Sequence, residues 1–258
     1  MLHIQSGFSL FGLEISFYGL IMGIAFLVGI AIAIFNAKKR GMKTDDILTL
    51  AIYIIPLSIL GARIYFCIFS GTTYSFWQFF EIWNGGLAIL GGVIGGAIAI
   101  IIYCIVHKKN FLQIIDIAAP SLIIGQAIGR IGCFFAGCCY GIETTNPNLC
   151  FFPFSVQIDG TWHLATMFYE SFWCILGFVA LQMFFRRNPP NGAVAFLYMI
   201  IYGVGRGVLE TFRGDSLYFF STGLKVSQVL SIGLVIAGII GFVLIYTKHK
   251  KNEKVNNS

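Results

Sequence analysis

Arg130 and Arg206 are the residues of this chain whose surroundings make their chemistry stand out. Arg130 lies in the stretch Gly125–Gly141, Gly-Gln-Ala-Ile-Gly-Arg-Ile-Gly-Cys-Phe-Phe-Ala-Gly-Cys-Cys-Tyr-Gly. That stretch ends a long apolar run yet holds one arginine, five glycines and three cysteines. Arg206 lies in Tyr202-Gly203-Val204-Gly205-Arg206-Gly207-Val208-Leu209-Glu210, between two glycines that leave it space to reach outward. A guanidinium at bilayer depth costs about 2.5–3.5 kcal/mol on insertion scales, so each arginine needs a compensating partner or ligand. A guanidinium stays charged and offers paired donors in a fork, which suits a phosphate or phosphodiester. A glycine-lined site poor in water strengthens that attraction. Together the two arginines read as a site for an anionic lipid head group.

Other residues join them. Glu210 is one helical turn beyond Arg206 (i,i+4), so the two can pair on one face, and Tyr202 lies one turn earlier on that face. Glu170, after Tyr169, is an acid in apolar sequence without a local partner, and is a candidate countercharge for Arg63, Arg130 or Arg206. Tyr18, in Ser16-Phe17-Tyr18-Gly19-Leu20, gains interest because the other unusual residues fall on the same side. From Asn84 to Gly96, glycine pairs at 85/86, 91/92 and 95/96 recur at close to whole helical turns and leave one helix face bare. That face has two readings: tight helix packing, or a smooth wall at Gly91 and Gly92 along which a lipid tail lies. Cys133, Cys138 and Cys139 have three: small apolar packing, a disulfide from Cys138 or Cys139 to Cys150, or a covalent lipid relay through Cys138. The seven cysteines lack zinc-ligand spacing and paired Cys-x-x-Cys repeats, so no metal site and no cofactor are expected.

The elements that must position these residues are membrane helices. The chain is 57% hydrophobic and 11% charged, against roughly 25% charged in a soluble domain. Seven apolar runs of spanning length occur near Ile15–Phe35, Ile47–Phe69, Gly86–Val106, Leu112–Phe134, Leu164–Phe185, Ala193–Phe212 and Val226–Thr247. The expected fold is therefore an all-α polytopic membrane protein, with residues 1–248 as one seven-helix domain. Met1–Gly12 is short and lacks a basic region, so the first run is read as a retained span.

Charge sets the expected orientation. Twelve of the seventeen basic residues follow the odd-numbered runs: Lys38, Lys39, Arg40, Lys43; Lys108, Lys109; Arg186, Arg187; Lys248, Lys250, Lys251, Lys254. Positive loops stay inside, which puts the N-terminus outside and the C-terminus in the cytoplasm. The net charge of +6 thus reflects topology, and no nucleic-acid partner is expected. Arg63, Arg130, Arg206, Arg213 and Lys225 all fall toward the outer half. Residues 70–85, rich in Trp and Phe, read as an interfacial helix. Residues 137–163 read as a small extracytoplasmic head of unreadable secondary structure, and 249–258 as a basic cytoplasmic tail without order.

These residues resemble the bacterial prolipoprotein diacylglyceryl transferases over most of the chain. The resemblance rests on Gly129-Arg130-Ile131-Gly132, on Tyr202-Gly203 with Arg206, Glu210, Arg213 and Asp215, and on Phe17-Tyr18-Gly19-Leu20. The Gly-Gly-Leu-Ala run, Gly91-Gly92 and Tyr169-Glu170 add to it. It implies a multi-pass enzyme of the bacterial plasma membrane that moves the diacylglyceryl group of phosphatidylglycerol to the lipobox cysteine of a prolipoprotein signal peptide. Glycerol phosphate is released, in the first step of lipoprotein maturation. Carried over, Arg130 holds the lipid phosphate and Arg206 stabilises it as it leaves, while Glu210 orients Arg206. Tyr18 and Tyr202 position the head group, with Gly132 beside them. The chain departs from the better-known members at Leu90, where His or Tyr is common, and at Cys133, Ala136 and Cys138, where Asn, Asn and Glu stand. The histidines (His3, His107, His163, His249) lie at run ends or tails, which excludes a histidine base in the third run. Two alternatives remain beside this reading: another acceptor, or a transporter of an anionic lipid or solute using the same arginines.

Overall fold

The computed structural model of the chain describes residues 7–10, 13–70, 76–81, 86–214 and 225–256. Among them seven helices are long and apolar enough to cross a membrane, and each coincides with one of the hydropathy runs. They are α1 (Phe17–Lys39), α2 (Thr44–Phe69), α4 (Ile89–Val106), α5 (Phe111–Phe135), α6 (Thr166–Phe185), α7 (Ala193–Leu209) and α8 (Val226–Asn256). A 3₁₀ turn, Glu210–Phe212, prolongs α7. Large apolar side chains such as Ile52, Ile105 and Phe172 point outward, as expected where lipid is the solvent.

Three expectations are adjusted. The C-terminal segment after Lys248 is helical through Asn256, because α8 continues without a break into residues of good helix propensity. Of the outer segment 70–85, the short helix α3 (Phe76–Phe80) is described, while 71–75 and 82–85, like Asp215, lie outside the described residues. The head segment contains a hairpin, β3 (Ser155–Ile158) paired antiparallel with β4 (Thr161–Leu164). Its two-residue turn is Asp159-Gly160, both at positive φ (49° and 85°), which matches the twist of the strands it joins. A second hairpin, β1 (Gly7–Leu10) with β2 (Leu13–Ser16), precedes α1. Ser16 then starts α1, its Oγ accepting the Gly19 N–H at 3.1 Å.

The helices fall into two compact units. In the unit Ala33–Ile114, α2 lies against α4 through glycine. A Cβ added at Gly61 would sit 2.5 Å from the Gly91 carbonyl oxygen, and one at Gly91 would strike Gly61 O and Tyr65 Cβ. Gly95 meets Leu57 O in the same way. Gly92 also faces α2, 3.6 Å from Ser58 O. The Ala88 N–H even donates to Ala62 O at 3.1 Å. Close backbone packing of the small-xxx-small kind is therefore what this glycine face does. The wall read for a lipid tail is covered by α2 at Gly91, while Gly92 is half-buried. Arg63, buried on α2, donates from Nε to Phe79 O (2.9 Å) and from Nη1 to Gly86 O (3.1 Å).

The other unit holds the first part of α1 together with α5 from Ile115, α6, α7 and α8. Ser171 of α6 donates to Ala127 O of α5 at 2.8 Å. Trp173 of α6 donates from its indole to Ile201 O of α7 at 2.9 Å. Asp116, fully buried on α5, accepts the N–H groups of Gly192 (2.7 Å) and Ala195 (2.9 Å) at the start of α7. A carboxylate there satisfies donors that the first helical turn leaves orphaned and meets the positive end of the helix dipole.

Candidate active site

Glu170 is the centre of the site. It lies in the second turn of α6, opposite the C-terminal parts of α5 and α7. Arg130 Nε approaches its Oε2 at 2.6 Å, Arg206 Nη1 donates to its Oε1 at 2.7 Å, and Arg213 Nη1 stands 3.7 Å from Oε1. Arg206 Nη2 also reaches Glu210 Oε2 at 2.9 Å, the i,i+4 pair read from sequence. That contact is a charge contact angled away from a hydrogen bond. The side chains are withdrawn: 8% exposed for Glu170, 9% for Arg213, 16% for Arg206 and 22% for Arg130. In the described contacts three guanidiniums thus face two carboxylates. Lys225 adds an ammonium that binds the carbonyls of Glu210 (2.7 Å) and Arg213 (3.2 Å) where α7 ends. Positive groups clustered in a site of low dielectric attract an anion.

The flanking glycines of Arg206 do a different job from the one expected. Gly205 is filled by the Trp173 indole, and Gly207 faces Ser231 of α8, so both serve packing. An apolar hollow of about 180 Å³ lies beside them, between Tyr169, Phe172 and Trp173 on α6 and Val204 and Val208 on α7. Tyr202 stacks on Tyr198 (centroids 5.7 Å apart, planes at 11°), and the Tyr198 hydroxyl is bonded to Gln126 on α5 at 3.0 Å. Tyr18, in the first turn of α1, covers buried Gly132, whose Cβ would lie 3.3 Å from the Tyr18 ring. Tyr18, Gly132, Arg130, Glu170, Arg206 and Glu210 therefore share one end of one unit, whereas Gly91, Gly92 and Arg63 belong to the other.

At the end of α5 the chain folds back sharply. Gly137, at φ 62°, follows the helix; its N–H donates to Phe134 O (3.2 Å), and the Cys138 N–H donates to Cys133 O (3.1 Å). This pair of bonds closes the helix with a left-handed glycine and brings the side chains at 133 and 138 together. Cys139 is also at positive φ (63°), held by the Thr166 hydroxyl on its carbonyl at 2.8 Å. The Cys139 thiol sits at about 5, well below its ordinary value, chiefly through its hydrogen bond with the Cys133 thiol and further through the charges of Arg213 and Arg130, against burial. Burial is the main cause that raises the Cys138 thiol. All seven cysteines are thiols. Cys150 points its sulfur at Thr144 O (3.7 Å), and of the three readings of the cysteines the disulfide from Cys138 or Cys139 to Cys150 is not formed.

Sequence reasoning placed Glu170 at the margin and left Arg213 and Lys225 out of the site. Arg213 follows Arg206 by seven residues, two helical turns, and that spacing was the available signal. Asp116 and Thr166 were missed because their partners are backbone groups distant in sequence.

The profile of the family described as prolipoprotein diacylglyceryl transferase matches residues 5–244. The phosphatidylglycerol–prolipoprotein diacylglyceryl transferase 1 of Clostridium perfringens is 36% identical over 254 residues, covering 96% of each chain. The enzyme of that name from Streptococcus agalactiae is 40% identical over 93% of this chain and 94% of its own. That from Clostridioides difficile is 38% identical over 95% and 96%. Matched nearly end to end at this identity, the chain belongs to the prolipoprotein diacylglyceryl transferase family.

Proposed function

We propose that this chain transfers the diacylglyceryl group of phosphatidylglycerol to the lipobox cysteine thiol of prolipoprotein signal peptides, releasing glycerol phosphate. The observation that carries the reading is the convergence of Arg130, Arg206 and Arg213 on one buried carboxylate, Glu170, in a chain of this family. Seven spans support a multi-pass protein of the bacterial plasma membrane folded as one membrane domain. The basic ends of alternate helices support an outside N-terminus and a cytoplasmic C-terminus.

The residues divide the work by their contacts. Arg130 meets Glu170 through Nε, so its terminal nitrogen pair is the fork that grips the lipid phosphate. Arg206 is held by both terminal nitrogens, on Glu170 and Glu210, and acts as a fixed positive charge toward the departing phosphate. Glu170 and Glu210 are positioning residues: they set where the guanidiniums stand. Tyr202 and Tyr18 flank the head group, and an acyl chain lies in the hollow beside Trp173 and Val204. The acceptor thiol loses its proton, since the thiolate is the nucleophile. Its sulfur bonds to the glyceryl carbon, and the carbon–oxygen bond breaks with its electron pair remaining on the phosphate. Negative charge grows on that phosphate, and donors already in place at such a charge accelerate the step.

Reconstitution with phosphatidylglycerol vesicles and a lipobox peptide tests this reading. The wild type is expected to add one diacylglyceryl mass to the peptide, and Arg130→Ala to lose nearly all transfer and to bind the lipid more weakly. Wild-type protein that binds phosphatidylglycerol but lipidates no peptide, with Arg130→Ala binding equally well, overturns both the reaction and the site.

A further inference from the structure

We propose that Cys133, Cys138 and Cys139 form a binding site for one thiophilic metal ion of the zinc and cadmium class. The three sulfur atoms lie within 4.8 Å of one another. A zinc ion with sulfur bonds of about 2.3 Å requires thiolates roughly 4 Å apart, so a small contraction completes the arrangement. Soft thiolate donors select zinc and related ions over magnesium or calcium. The site does not depend on the transfer reading.

The backbone sets up the cluster before any ion arrives. The turn that ends α5 holds residues 133 and 138 side by side, in positions where helices ending this way usually place an apolar contact. Here thiols occupy both. The left-handed backbone at Cys139 (φ 63°), unfavourable for a residue with a Cβ, goes with a third sulfur placed beside the first two. Thr166 fixes that conformation through the Cys139 carbonyl at 2.8 Å.

Charge and access also fit. Three thiolates around a dication leave one negative charge, and Arg213 and Arg130 place positive charge on this cluster. A cavity of about 580 Å³ opens on Cys138 and Cys139 and is lined also by Tyr140, Glu143 and His163, which provides an entry path. Both ring nitrogens of His163 are engaged, with Gly141 O (3.3 Å) and Thr161 Oγ1 (2.9 Å). The fourth coordination position therefore faces the cavity and takes water or an incoming thiol. In sequence the Cys-x₄-Cys-Cys spacing matches no common zinc pattern, because the three thiols come together only where the chain folds back at Gly137.

The test uses the full chain in detergent, reduced without oxygen, desalted and titrated with Zn²⁺ and separately with Cd²⁺. One metal per chain is expected to survive gel filtration, and Cd²⁺ is expected to produce sulfur-to-metal charge-transfer absorption. Alkylation mapped by mass spectrometry should find three of the seven thiols protected by metal: Cys133, Cys138 and Cys139. Cys139→Ser should lose metal retention, while Cys150→Ser keeps it. Folded wild type that retains no stoichiometric metal overturns the proposal. So does protection that maps to other cysteines, equal retention by Cys139→Ser, or a cluster that persists as an internal disulfide two hydrogens lighter under these conditions.

Discussion

Each unit of the molecule carries an arginine inside a membrane helix beside glycine-rich sequence, and the described contacts of the two arginines differ. Arg63 donates to the neutral carbonyls of Phe79 and Gly86. Arg130 meets a carboxylate that it shares with Arg206 and Arg213. The glycines differ as well. Gly61, Gly91 and Gly95 are pressed onto backbone across α2 and α4, whereas a Cβ at Gly129 would meet only the Met22 sulfur, at an ordinary 3.5 Å. Glycine content therefore does not separate a packing seam from a site. In the described contacts the difference lies in what meets the charge: backbone carbonyls at Arg63, a carboxylate shared by three guanidiniums at Arg130.

The strongest way to break this comparison is Glu170→Gln. It keeps the shape but strips the charge that the three guanidiniums share. Removing one partner of a buried ionic group costs about 3–5 kcal/mol, and unfolding in detergent micelles should show a loss on that scale. Unchanged stability would mean that Glu170 is not the hub. Next in size, Arg206→Lys should lower lipidation kcat/KM by roughly 10- to 100-fold, the loss of a hydrogen bond between charged groups. Arg63→Lys, at a residue outside the Glu170 cluster, should stay within a few-fold of wild type in the same assay. Equal effects of the two would erase the distinction between the units. The smallest contrast is between glycines. Gly91→Ala drives a methyl into the Gly61 carbonyl and should cost about 1–3 kcal/mol. Gly129→Ala should change stability by about 0.5 kcal/mol or less, read from the same melting curves.

How much of this was legible in the sequence depended on the distance over which each interaction acts. The spans were legible because a bilayer imposes a length and a polarity on every helix that crosses it. The Arg206–Glu210 pair was legible because it is local, set by helical pitch. Glu170 could be suspected only as an acid lacking a neighbour, since its partners come from helices on either side in sequence. The glycines flanking Arg206 were misassigned because Trp173 and Ser231, which fill that space, are far off in sequence. The β3–β4 hairpin had a readable signal in Asp159-Gly160 between alternating strands, but surrounding proline and asparagine obscured it. The cysteine cluster was hidden because its grouping depends on two left-handed residues.

Asp116 sits far from the chemistry, yet it constrains how the site can move. Fourteen residues separate it from Arg130 along α5, and fourteen separate Gly192, which it grips, from Arg206 along α7. At 1.5 Å per residue each arm is about 21 Å long. The two helices are therefore tied at a pivot, Asp116, and again about equally far along each of them, on Glu170. Sliding one helix past the other would break the pivot. A change in the gap between the two guanidiniums would instead be a swing about that pivot, in which a few degrees at Asp116 would become about an ångström at the arginines.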